Sequence, residues 1–263
     1  MTRLCPLFSG SSGNSYYLSS GSDGILIDAG RSCKQIVTAL HDNDIDINSI
    51  RAVFITHEHT DHIKGLRVLA SKYRLKVYAS PGTIESLRQK GELSEKVDIK
   101  PITKDGIELD SMKITPFSIS HDCAEGYGYA CVDSSGRKTS FVTDTGVLTE
   151  EIKNAVTASD TIVLESNHDS GMLKFGSYPF VLKRRIMSEL GHLSNEVCAE
   201  ECVRLVSSGT TRIVLAHLSR ENNIPSLAMQ TSLGALTQSG MKQDIDYILK
   251  VAPVENHEGA IIY

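Results

Sequence analysis

The sequence of 263 residues lacks any apolar run that could cross a membrane, because no stretch reaches about 18 uninterrupted hydrophobic residues. The amino terminus, MTRLCPLFSGSSGNSYYL, also lacks the apolar segment of a signal peptide. Repeats, low-complexity tracts and Pro/Ser-rich linkers are missing as well. We therefore expect one domain, residues 1–263, in a cytoplasmic protein without a membrane partner. The oligomeric state stays open.

The chain also lacks an excess of basic residues. Its formal net charge is -5 at pH 7, so its surface is not basic throughout. Any contact with nucleic acid must then be local, through a small patch of lysine and arginine. Hydrophobic residues make up 40% of the chain, which is enough for a sizeable core.

Cysteine pairs of the CxxC type are absent, and the six cysteines follow no regular spacing. In the cytoplasm such residues stay reduced, so we expect no disulfide framework. Cys198 and Cys202 are four residues apart in NEVCAEECVRLV, which places them on one apolar face of a helix. That spacing indicates packing in the core rather than a thiolate site.

Strand-like and helix-like segments alternate along the chain, which predicts an α/β fold with helix-covered sheets. The middle of the chain, 98–143, has no helical pattern and indicates a second, partly antiparallel sheet. Strands are predicted at 24–30, 51–56, 75–80, 112–120, 139–146, 161–167 and 211–217. Helices are predicted at 32–42, 63–72, 81–90, 148–157, 178–190, 195–207 and 225–239.

Polar residues that could carry chemistry follow the ends of the predicted strands. Strand ends of one polarity meet at one edge of a sheet, where α/β proteins place their sites. We therefore expect a functional site at that edge. The residues in these positions are Asp28, His57, His121, Asp144, Glu165 and His217.

One segment, HEHTDH, concentrates this chemistry. His57 and His59 are two apart, so their rings leave an extended chain on the same side. Thr60 can cap a helix that starts at Asp61, which turns Asp61 and His62 in another direction. Imidazole and carboxylate together suit zinc, manganese or iron better than calcium or magnesium. The loop can therefore serve two neighbouring metal ions.

The HEHTDH segment resembles the H-x-H-x-D-H signature of the metallo-β-lactamase superfamily, and the family's other motifs follow in the same order. The resemblance implies an α/β four-layer αββα sandwich, in which two sheets pack face to face with helices outside. It also implies two divalent metal ions, zinc in preference to manganese or iron, and a supporting role for Asp28 behind the ligands. The implied ligands are His57, His59 and His121 for one ion, Asp61, His62 and His217 for the other, and Asp144 as the bridge.

The residues by themselves leave alternatives open at several of these positions. Asp28 in IDAG could be a turn former, and Asp144 in TDTG could cap a helix. His121 and His217 could be structural histidines at strand ends. The common order of the motifs favours the site.

A pair of metals can activate water for attack on an ester, thioester, lactam or phosphodiester. A bridging aspartate resembles the phosphodiesterase and thioesterase branches of the family. LESNHDSG and GHLSNE resemble the glutamate and histidine motifs of the transfer-RNA 3′-processing nucleases, where such a pair helps to protonate the leaving oxygen. We therefore predict Asp61, Glu165 and His192 as catalytic residues, although Glu165 could be a surface acid and His192 a loop histidine.

Other residues of this region are predicted to bind the substrate. Ser194 caps a helix whose amino terminus offers N–H groups to a phosphate. The segment KFGSYPFVLKRR could neutralise phosphates or stack bases, or could be the solvated face of a helix. The loop FSGSSGNSYYL could offer N–H groups to an anion or simply connect two strands. The predicted substrate-binding residues are Asn167, His168, Lys183, Arg184, Arg185 and Ser194.

Taken whole, the chain resembles a group of small single-domain bacterial members of the superfamily. The resemblance implies a nuclease-like hydrolase that acts on nucleic acid, with DNA favoured over RNA. The specific activity that it suggests is that of a 5′-to-3′ exonuclease in DNA repair. Open alternatives are an RNA-processing nuclease and a small-molecule phosphodiesterase or thioesterase. A non-enzymatic or redox role, as in the flavodiiron proteins, is disfavoured because the chain has no room for a flavin domain.

Overall fold

The computed structural model describes residues 1–21 and 23–263. The chain divides into two compact units. The first comprises Met1–Pro116, Cys123–Gly136 and Pro253–Tyr263, and the second comprises Phe117–Asp122 and Arg137–Ala252. A single domain over the whole chain stays a prediction beside this division.

Helices and strands occupy most of the segments for which the sequence predicts them. The helices are α1 (Cys33–Asp42), α2 (Thr60–Ile63), α3 (Leu66–Tyr73), α4 (Pro81–Gln89), α5 (Glu150–Val156), α6 (Ser170–Phe175), α7 (Phe180–Ile186), α8 (Asn195–Ser207) and α9 (Pro225–Gln238). The strands are β1 (Thr2–Phe8), β2 (Ser15–Ser20), β3 (Asp23–Ile27), β4 (Ile50–Phe54), β5 (Lys76–Ala79), β6 (Asp98–Pro101), β7 (Ile107–Glu108), β8 (Met112–Ser118), β9 (Tyr127–Asp133), β10 (Lys138–Val142), β11 (Thr161–Glu165), β12 (Arg212–Ala216), β13 (Ile248–Val251) and β14 (Ile261–Ile262). Among the described residues, no helix has the length and apolar character needed to cross a membrane.

The first unit is built on a sheet with the strand order β14-β1-β2-β3-β4-β5-β6. Strands β1 to β3 pair antiparallel, and β3 to β6 pair parallel. Strands β3 and β4 consist mainly of apolar, buried residues, as expected for strands that are covered on both faces. Helices α1, α3 and α4 bury Ile36, Leu69 and Leu87 in one hydrophobic cluster with Leu26 and Val53. Each such side chain contributes about 1.5–3 kcal/mol when it is fully buried.

The middle of the chain contains strands and turns but no helix, as its sequence predicts. From Asp98 to Val142, the described residues form only β6 to β10 and the turns between them. Strands β7 and β8 pair antiparallel, with Ile107 opposite Ile114. This pairing confirms the antiparallel character that the helix-free segment indicates.

The second unit is built on parallel strands β10, β11, β12 and β13, which pair in that order. Helices α8 and α9 pack against each other in this unit. Cys198 and Cys202 are fully buried on one face of α8 together with Leu205, which confirms their packing role. The hydrogen bond with Cys202, together with burial, raises the pKa of the Cys198 thiol well above its usual range, so this thiol stays neutral.

Three helical segments differ from their predictions, each because of close main-chain contacts or short length. The segment 63–72 is interrupted before α3, where a Cβ on Gly65 would lie 2.1 Å from the carbonyl oxygen of Arg31. Helix α7 ends earlier than predicted, because the chain turns back so that a Cβ on Gly191 would lie 2.1 Å from the carbonyl oxygen of Ile186. Helix α6 is unpredicted, since its six residues are too few for a clear period.

Candidate metal-binding and catalytic residues

In the first unit, the HEHTDH segment forms a tight loop after β4. The ring centroids of His57 and His59 are 4.5 Å apart, and those of His57 and His62 are 4.2 Å apart. His57 and His62 are fully buried, whereas His59 and Asp61 are partly exposed. The Oδ2 atom of Asp61 lies 3.4 Å from Nε2 of His62. The loop therefore brings four of the predicted ligands together.

The helical turn inside this loop differs from its prediction. Helix α2 begins at Thr60 itself, and the preceding residue, His59, makes no side-chain cap bond. The prediction that Thr60 caps a helix starting at Asp61 is therefore wrong. The main chain closes the turn instead, because the N–H of His62 donates to the carbonyl oxygen of His59 at 2.9 Å.

Asp28 supports the histidine loop from the end of β3. Its carboxylate accepts hydrogen bonds from the N–H and the hydroxyl of Thr56, both at 2.8 Å, and from Nδ1 of His62 at 2.7 Å. Because Nδ1 is engaged, Nε2 is the nitrogen of His62 that can ligate a metal. Burial raises the pKa of Asp28, and the neighbouring His62 opposes that rise. Its backbone is left-handed, with φ 63°, a strain that clusters at functional sites.

The loop before β2 also supports the histidine loop, through Asn14. The main-chain N–H of Asn14 donates to the carbonyl oxygen of Asp61 at 2.7 Å. Its side-chain Nδ2 lies 3.3 Å from Oδ2 of Asp61 and 3.2 Å from Nε2 of His62. Gly30 packs so closely that a Cβ there would lie 1.7 Å from the carbonyl oxygen of Asp61. Sequence patterns do not single out Asn14, because its partners lie 47 and 48 positions away.

In the second unit, three predicted residues follow the carboxyl ends of adjacent strands. Asp144 comes two residues after β10, Glu165 ends β11, and His217 comes directly after β12. These strands are parallel neighbours, so their ends lie side by side. Nδ1 of His217 lies 3.3 Å from Oδ1 of Asp144 and 2.8 Å from Oε1 of Glu165. Asp144 and His217 are also left-handed, with φ 58° and 55°.

His121, which follows β8, belongs to the same cluster of the second unit. Its Nδ1 donates to the carbonyl oxygen of Gly191 at 3.1 Å, and its Nε2 lies 3.9 Å from Oδ1 of Asp144. A carbonyl oxygen only accepts, so this bond places the proton on Nδ1. Burial lowers the pKa of His121, although Asp144 opposes this. A neutral imidazole is the form that binds metals.

Glu165 joins two histidines of the second unit. Its Oε1 accepts hydrogen bonds from Nδ1 of His192 and Nδ1 of His217, both at 2.8 Å. Its Oε2 accepts from the N–H groups of Thr145 and Leu193, both at 3.1 Å. Burial disfavours the charge, but His192 and the bonds from both rings outweigh it and lower the pKa of Glu165 to about 2. The carboxylate therefore stays ionised and orients both imidazoles.

The donor atoms of this cluster fit a divalent metal. Asp144, Glu165, His192 and His217 each offer a ligand atom within 4.8 Å of the others, and all but His192 are buried. Imidazole nitrogen and carboxylate oxygen are typical ligands of zinc, manganese and iron. The histidine loop of the first unit carries the same kinds of donor. Each unit therefore offers donors of the type that holds a divalent metal.

A cleft of ≈ 210 Å³ in the second unit contains further predicted residues. Its lining includes His168, His192 and Ser194. Burial lowers the pKa of His168, so its ring is neutral at pH 7. Asn167 makes an internal bond, because its Nδ2 donates to the carbonyl oxygen of His217 at 2.9 Å. Asn167 thus helps to position His217, and its contact with substrate stays a prediction.

The start of α8 already has polar partners of its own. The Ser194 hydroxyl accepts a hydrogen bond from the N–H of Val197 at 3.3 Å, which confirms its prediction as a helix cap. The carboxylate of Glu196 accepts a bond from the hydroxyl of Ser170 at 2.8 Å. Burial raises the pKa of Glu196, but the bonds from Ser194 and Ser170 lower it overall. A phosphate at this helix start therefore meets a negative charge.

The three basic residues that were predicted to bind DNA have different surroundings. Nζ of Lys183 donates to two main-chain carbonyls at the end of α6, at 2.9 and 2.7 Å. Arg185 binds both carboxylate oxygens of Asp122, with Nη2 2.9 Å from Oδ1. Arg184 is exposed, and its guanidinium lies 5.9 Å from the ring centroid of Phe180. Arg184 is therefore the best placed of the three to meet a phosphate.

The sequence matches the family model described as β-lactamase superfamily domain over residues 24–218. The chain belongs to the metallo-β-lactamase superfamily. It is 37% identical over 235 residues to the Exodeoxyribonuclease YycJ of Bacillus anthracis, covering 89% of each chain. It is 38% identical over 247 residues to the Exodeoxyribonuclease WalJ of Streptococcus pneumoniae, covering 92% of this chain and 90% of that one. The solved metallo-β-lactamase fold protein YhfI from Bacillus subtilis is 17% identical, with a TM-score of 0.70 over 97% of this chain and 98% of that chain.

These comparisons confirm the predicted resemblance and the predicted fold class. The likeness to YhfI extends over nearly the whole chain and shows the fold, the four-layer αββα sandwich of the superfamily. The YycJ and WalJ proteins are the group of small bacterial members that the sequence resembles. Family and relatives together identify the chain as a metal-dependent hydrolase.

Proposed function

We propose that this hydrolase is an exodeoxyribonuclease that degrades DNA in the 5′-to-3′ direction during repair in the cytoplasm. The proposal rests on the position of the Oε1 atom of Glu165, which lies 2.8 Å from Nδ1 of both His192 and His217. It links a candidate proton donor to a candidate metal ligand. The relatives named exodeoxyribonuclease, 37% and 38% identical over 89% and 92% of the chain, support this substrate class.

Two divalent metal ions belong to the proposal, zinc in preference to manganese or iron. When bound, they supply an activated water and polarise the phosphodiester. The imidazole and carboxylate donors of both units support this assignment. The proposed ligands are His57, His59 and His121 for one ion, Asp61, His62 and His217 for the other, and Asp144 for both.

Carboxylates orient the proposed ligands in both units. Asp28 holds Nδ1 of His62 at 2.7 Å, and Glu165 holds Nδ1 of His217 at 2.8 Å. Each bond fixes the ring and directs Nε2 to the metal, and each carboxylate also raises the basicity of its imidazole. The same type of support therefore serves one histidine of each unit.

His192 is proposed to protonate the leaving oxygen. Its Nδ1 is held by Glu165, so Nε2 is the atom that can deliver a proton. Its side chain is 16% exposed and lines the cleft with His168 and Ser194, which are proposed to contact the substrate together with Arg184. Hydrolysis of a phosphodiester expels an alkoxide, and a positioned acid contributes about 10²- to 10⁴-fold to such a step.

Metal analysis combined with assays on 5′-labelled and 3′-labelled DNA and RNA tests this proposal. We expect two metal ions per chain and release of nucleotides from the 5′ end of DNA. Asp61→Ala and His62→Ala should abolish hydrolysis, and thermal unfolding verifies that each variant is folded. Full activity of either variant contradicts its role. Preferential cleavage of RNA, or of small diesters only, supports the corresponding alternative function.

A separate measurement tests His192. His192→Ala should slow the cleavage of DNA by about 10²- to 10⁴-fold while the metal content stays unchanged. A nitrophenolate leaving group departs without a proton, so the cleavage of a nitrophenyl diester should be slowed far less by the same change. Equal slowing of both substrates excludes His192 as the acid. A parallel loss of metal instead assigns His192 to the ligand set.

A further inference from the structure

Two phenylalanine side chains at the surface of the second unit are mostly exposed. Phe175 at the end of α6 is 83% exposed, and Phe180 at the start of α7 is 71% exposed. The neighbouring Val181 is 79% exposed. The bonds from Nζ of Lys183 to the carbonyl oxygens of Lys174 and Gly176 hold α7 against the end of α6, so these exposed groups belong to one part of the surface. Neighbouring exposed apolar groups of this kind mark interaction sites, because their exposure to water is unfavourable. We call Lys174, Phe175, Phe180, Val181 and Arg184 the aromatic–basic surface.

The charge of the aromatic–basic surface favours a polyanion. Residues 174–190 contain four basic residues and one acidic residue, whereas the whole chain has a net charge of -5. Nζ of Lys174 lies 5.5 Å from the ring centroid of Phe175, and the guanidinium of Arg184 lies 5.9 Å from that of Phe180. Each exposed ring therefore has a cation beside it. Single-strand binding proteins combine these two groups, since the rings stack bases and the cations meet phosphates.

A second copy of the chain suits this surface less well than nucleic acid does. In a two-fold dimer the same patch meets itself. Lys174 and Arg184 of one copy would then face a patch of the same charge on the other, which is unfavourable. A single strand of nucleic acid instead offers an open base for each ring and a phosphate for each cation.

A short turn connects the aromatic–basic surface to the proposed catalytic residues of the second unit. The carbonyl oxygen of Leu190 accepts a hydrogen bond from the N–H of Asp122 at 3.2 Å. The carbonyl oxygen of Gly191 accepts one from Nδ1 of His121 at 3.1 Å. The next residue along the chain is His192. The N–H of His192 also donates to the carbonyl oxygen of Ile186, the last residue of α7, at 3.0 Å, so the helix that carries Phe180 and Arg184 is bonded directly to the proposed proton donor.

We infer that the aromatic–basic surface binds a single-stranded segment of the DNA substrate next to the cleavage point. Bases stack on Phe175 and Phe180, while Lys174 and Arg184 contact the phosphates. The inference rests on the proposed function and deepens it, because it assigns a single-stranded contact to the part of the substrate next to the cleavage point. Paired bases in a duplex cannot present their faces to these rings.

The test measures binding of a single-stranded oligothymidylate with phosphorothioate linkages, which keep the charge and resist cleavage, to the metal-loaded protein. Phe175→Ala and Phe180→Ala should each weaken binding by about tenfold, the loss typical of one stacked base. Phe175→Trp and Phe180→Trp should bind the oligothymidylate at least as tightly as the unaltered protein, because a larger ring stacks at least as well. Ile245→Ala is the matched control, since Ile245 is 77% exposed in the same unit outside this surface. Thermal unfolding verifies that each variant is folded.

Three outcomes overturn the inference. The first is unchanged binding by the variant that lacks both rings, and the second is an equal loss for single-stranded and blunt duplex DNA. The third is a loss of self-association in that variant while DNA binding stays the same, which assigns the surface to a dimer. Failure of the proposed function has a different signature. In that case the unaltered protein does not cleave DNA, whether or not it cleaves bis(4-nitrophenyl) phosphate and whatever the two rings contribute to binding.

Discussion

The two units hold their candidate ligands in different ways. In the first, four candidates lie within the six consecutive residues of HEHTDH. Main-chain bonds secure this loop, since the N–H groups of Asn14 and Ala29 donate to the carbonyl oxygens of Asp61 and His62 at 2.7 and 2.8 Å. In the second unit the candidates come from separate segments, and the carboxylate of Glu165 joins two of their side chains.

Because of this difference, the two units should be sensitive to different kinds of substitution. A loop that is held by its main chain depends on the space around the backbone and tolerates the loss of one supporting side chain. A cluster that is held by a shared carboxylate depends on that carboxylate, because its removal frees several rings together. The first unit should therefore respond most to steric changes near the loop, and the second to changes at Glu165.

Gly30→Ala should have the largest effect. The added Cβ would lie 1.7 Å from the carbonyl oxygen of Asp61, so the main chain must move. We expect the free energy of unfolding to fall by about 3 kcal/mol and metal binding to be lost. Chemical denaturation and metal analysis measure both effects. The control is Gly234→Ala in α9, where the Cβ meets nothing within 4 Å and should stabilise the helix by about 0.5–1 kcal/mol. Similar behaviour of the two variants contradicts the steric account.

The second-largest effect is expected for Glu165→Gln, which should weaken metal binding more than Asp28→Asn does. The amide NH₂ of the new glutamine must face either the two ring N–H groups or the two main-chain N–H groups, and both faces are donors. We expect about 100-fold weaker metal binding for Glu165→Gln and about tenfold for Asp28→Asn. The loss is smaller for Asp28→Asn because the Thr56 hydroxyl can reverse its bond, so the new amide NH₂ faces one N–H donor, from Thr56 or from His62, instead of two. Competition with a chelator measures both constants.

Glu201→Gln provides the control for these two changes. Glu201 is a buried carboxylate of the same unit as Glu165, but its partner is Arg204. Metal binding should stay unchanged in this variant. Equal losses for Glu165→Gln and Asp28→Asn would remove the contrast between the two units.

The side chain of Asn14 allows a smaller test, of the side-chain support around the histidine loop. Asn14→Ala removes side-chain bonds to Gly10 and Asp61 and should lower the free energy of unfolding by about 1–2 kcal/mol. Asn14→Asp keeps the bond from Gly10 but places a second carboxylate beside Asp61, so it should be the less stable variant without metal. Added zinc should recover more stability in Asn14→Asp than in Asn14→Ala. Equal recovery in thermal unfolding would show that the side chain of Asn14 does not influence Asp61.

The smallest expected effect concerns the basic residues of α7. When Lys183, Arg184 and Arg185 are all changed to glutamine, the slope of log affinity for single-stranded DNA against log salt should fall by about 0.7, the value for one phosphate contact. Lys183 and Arg185 already have partners within the protein, so Arg184→Gln alone should reproduce this change. A fall about three times larger would show that all three residues contact phosphates.

The positions of strands, helices and the histidine loop could be predicted because their signals are local. The run AVFIT before HEHTDH indicates a buried strand end, and the spacing within the motif indicates ligands on one loop. The pairing of Glu165 with His192 could also be predicted, because each residue belongs to a recognisable motif. The prediction that Thr60 caps a helix is wrong because a main-chain bond closes that turn. Local side-chain preferences do not indicate such a bond.

Other features depend on contacts between residues that are far apart in the sequence. Asn14 meets Asp61, Arg185 meets Asp122, and Glu165 holds His217 as well as His192, over separations of 47, 63 and 52 positions. The amino-acid sequence by itself determined which residue types could bind metal and which segments form strands and helices, because periodicity and capping act over a few residues. Only the tertiary structure decided which side chains support those residues and which cations remain exposed. Hydrogen bonds and ion pairs of this kind depend on distances that exist only after the strands have paired.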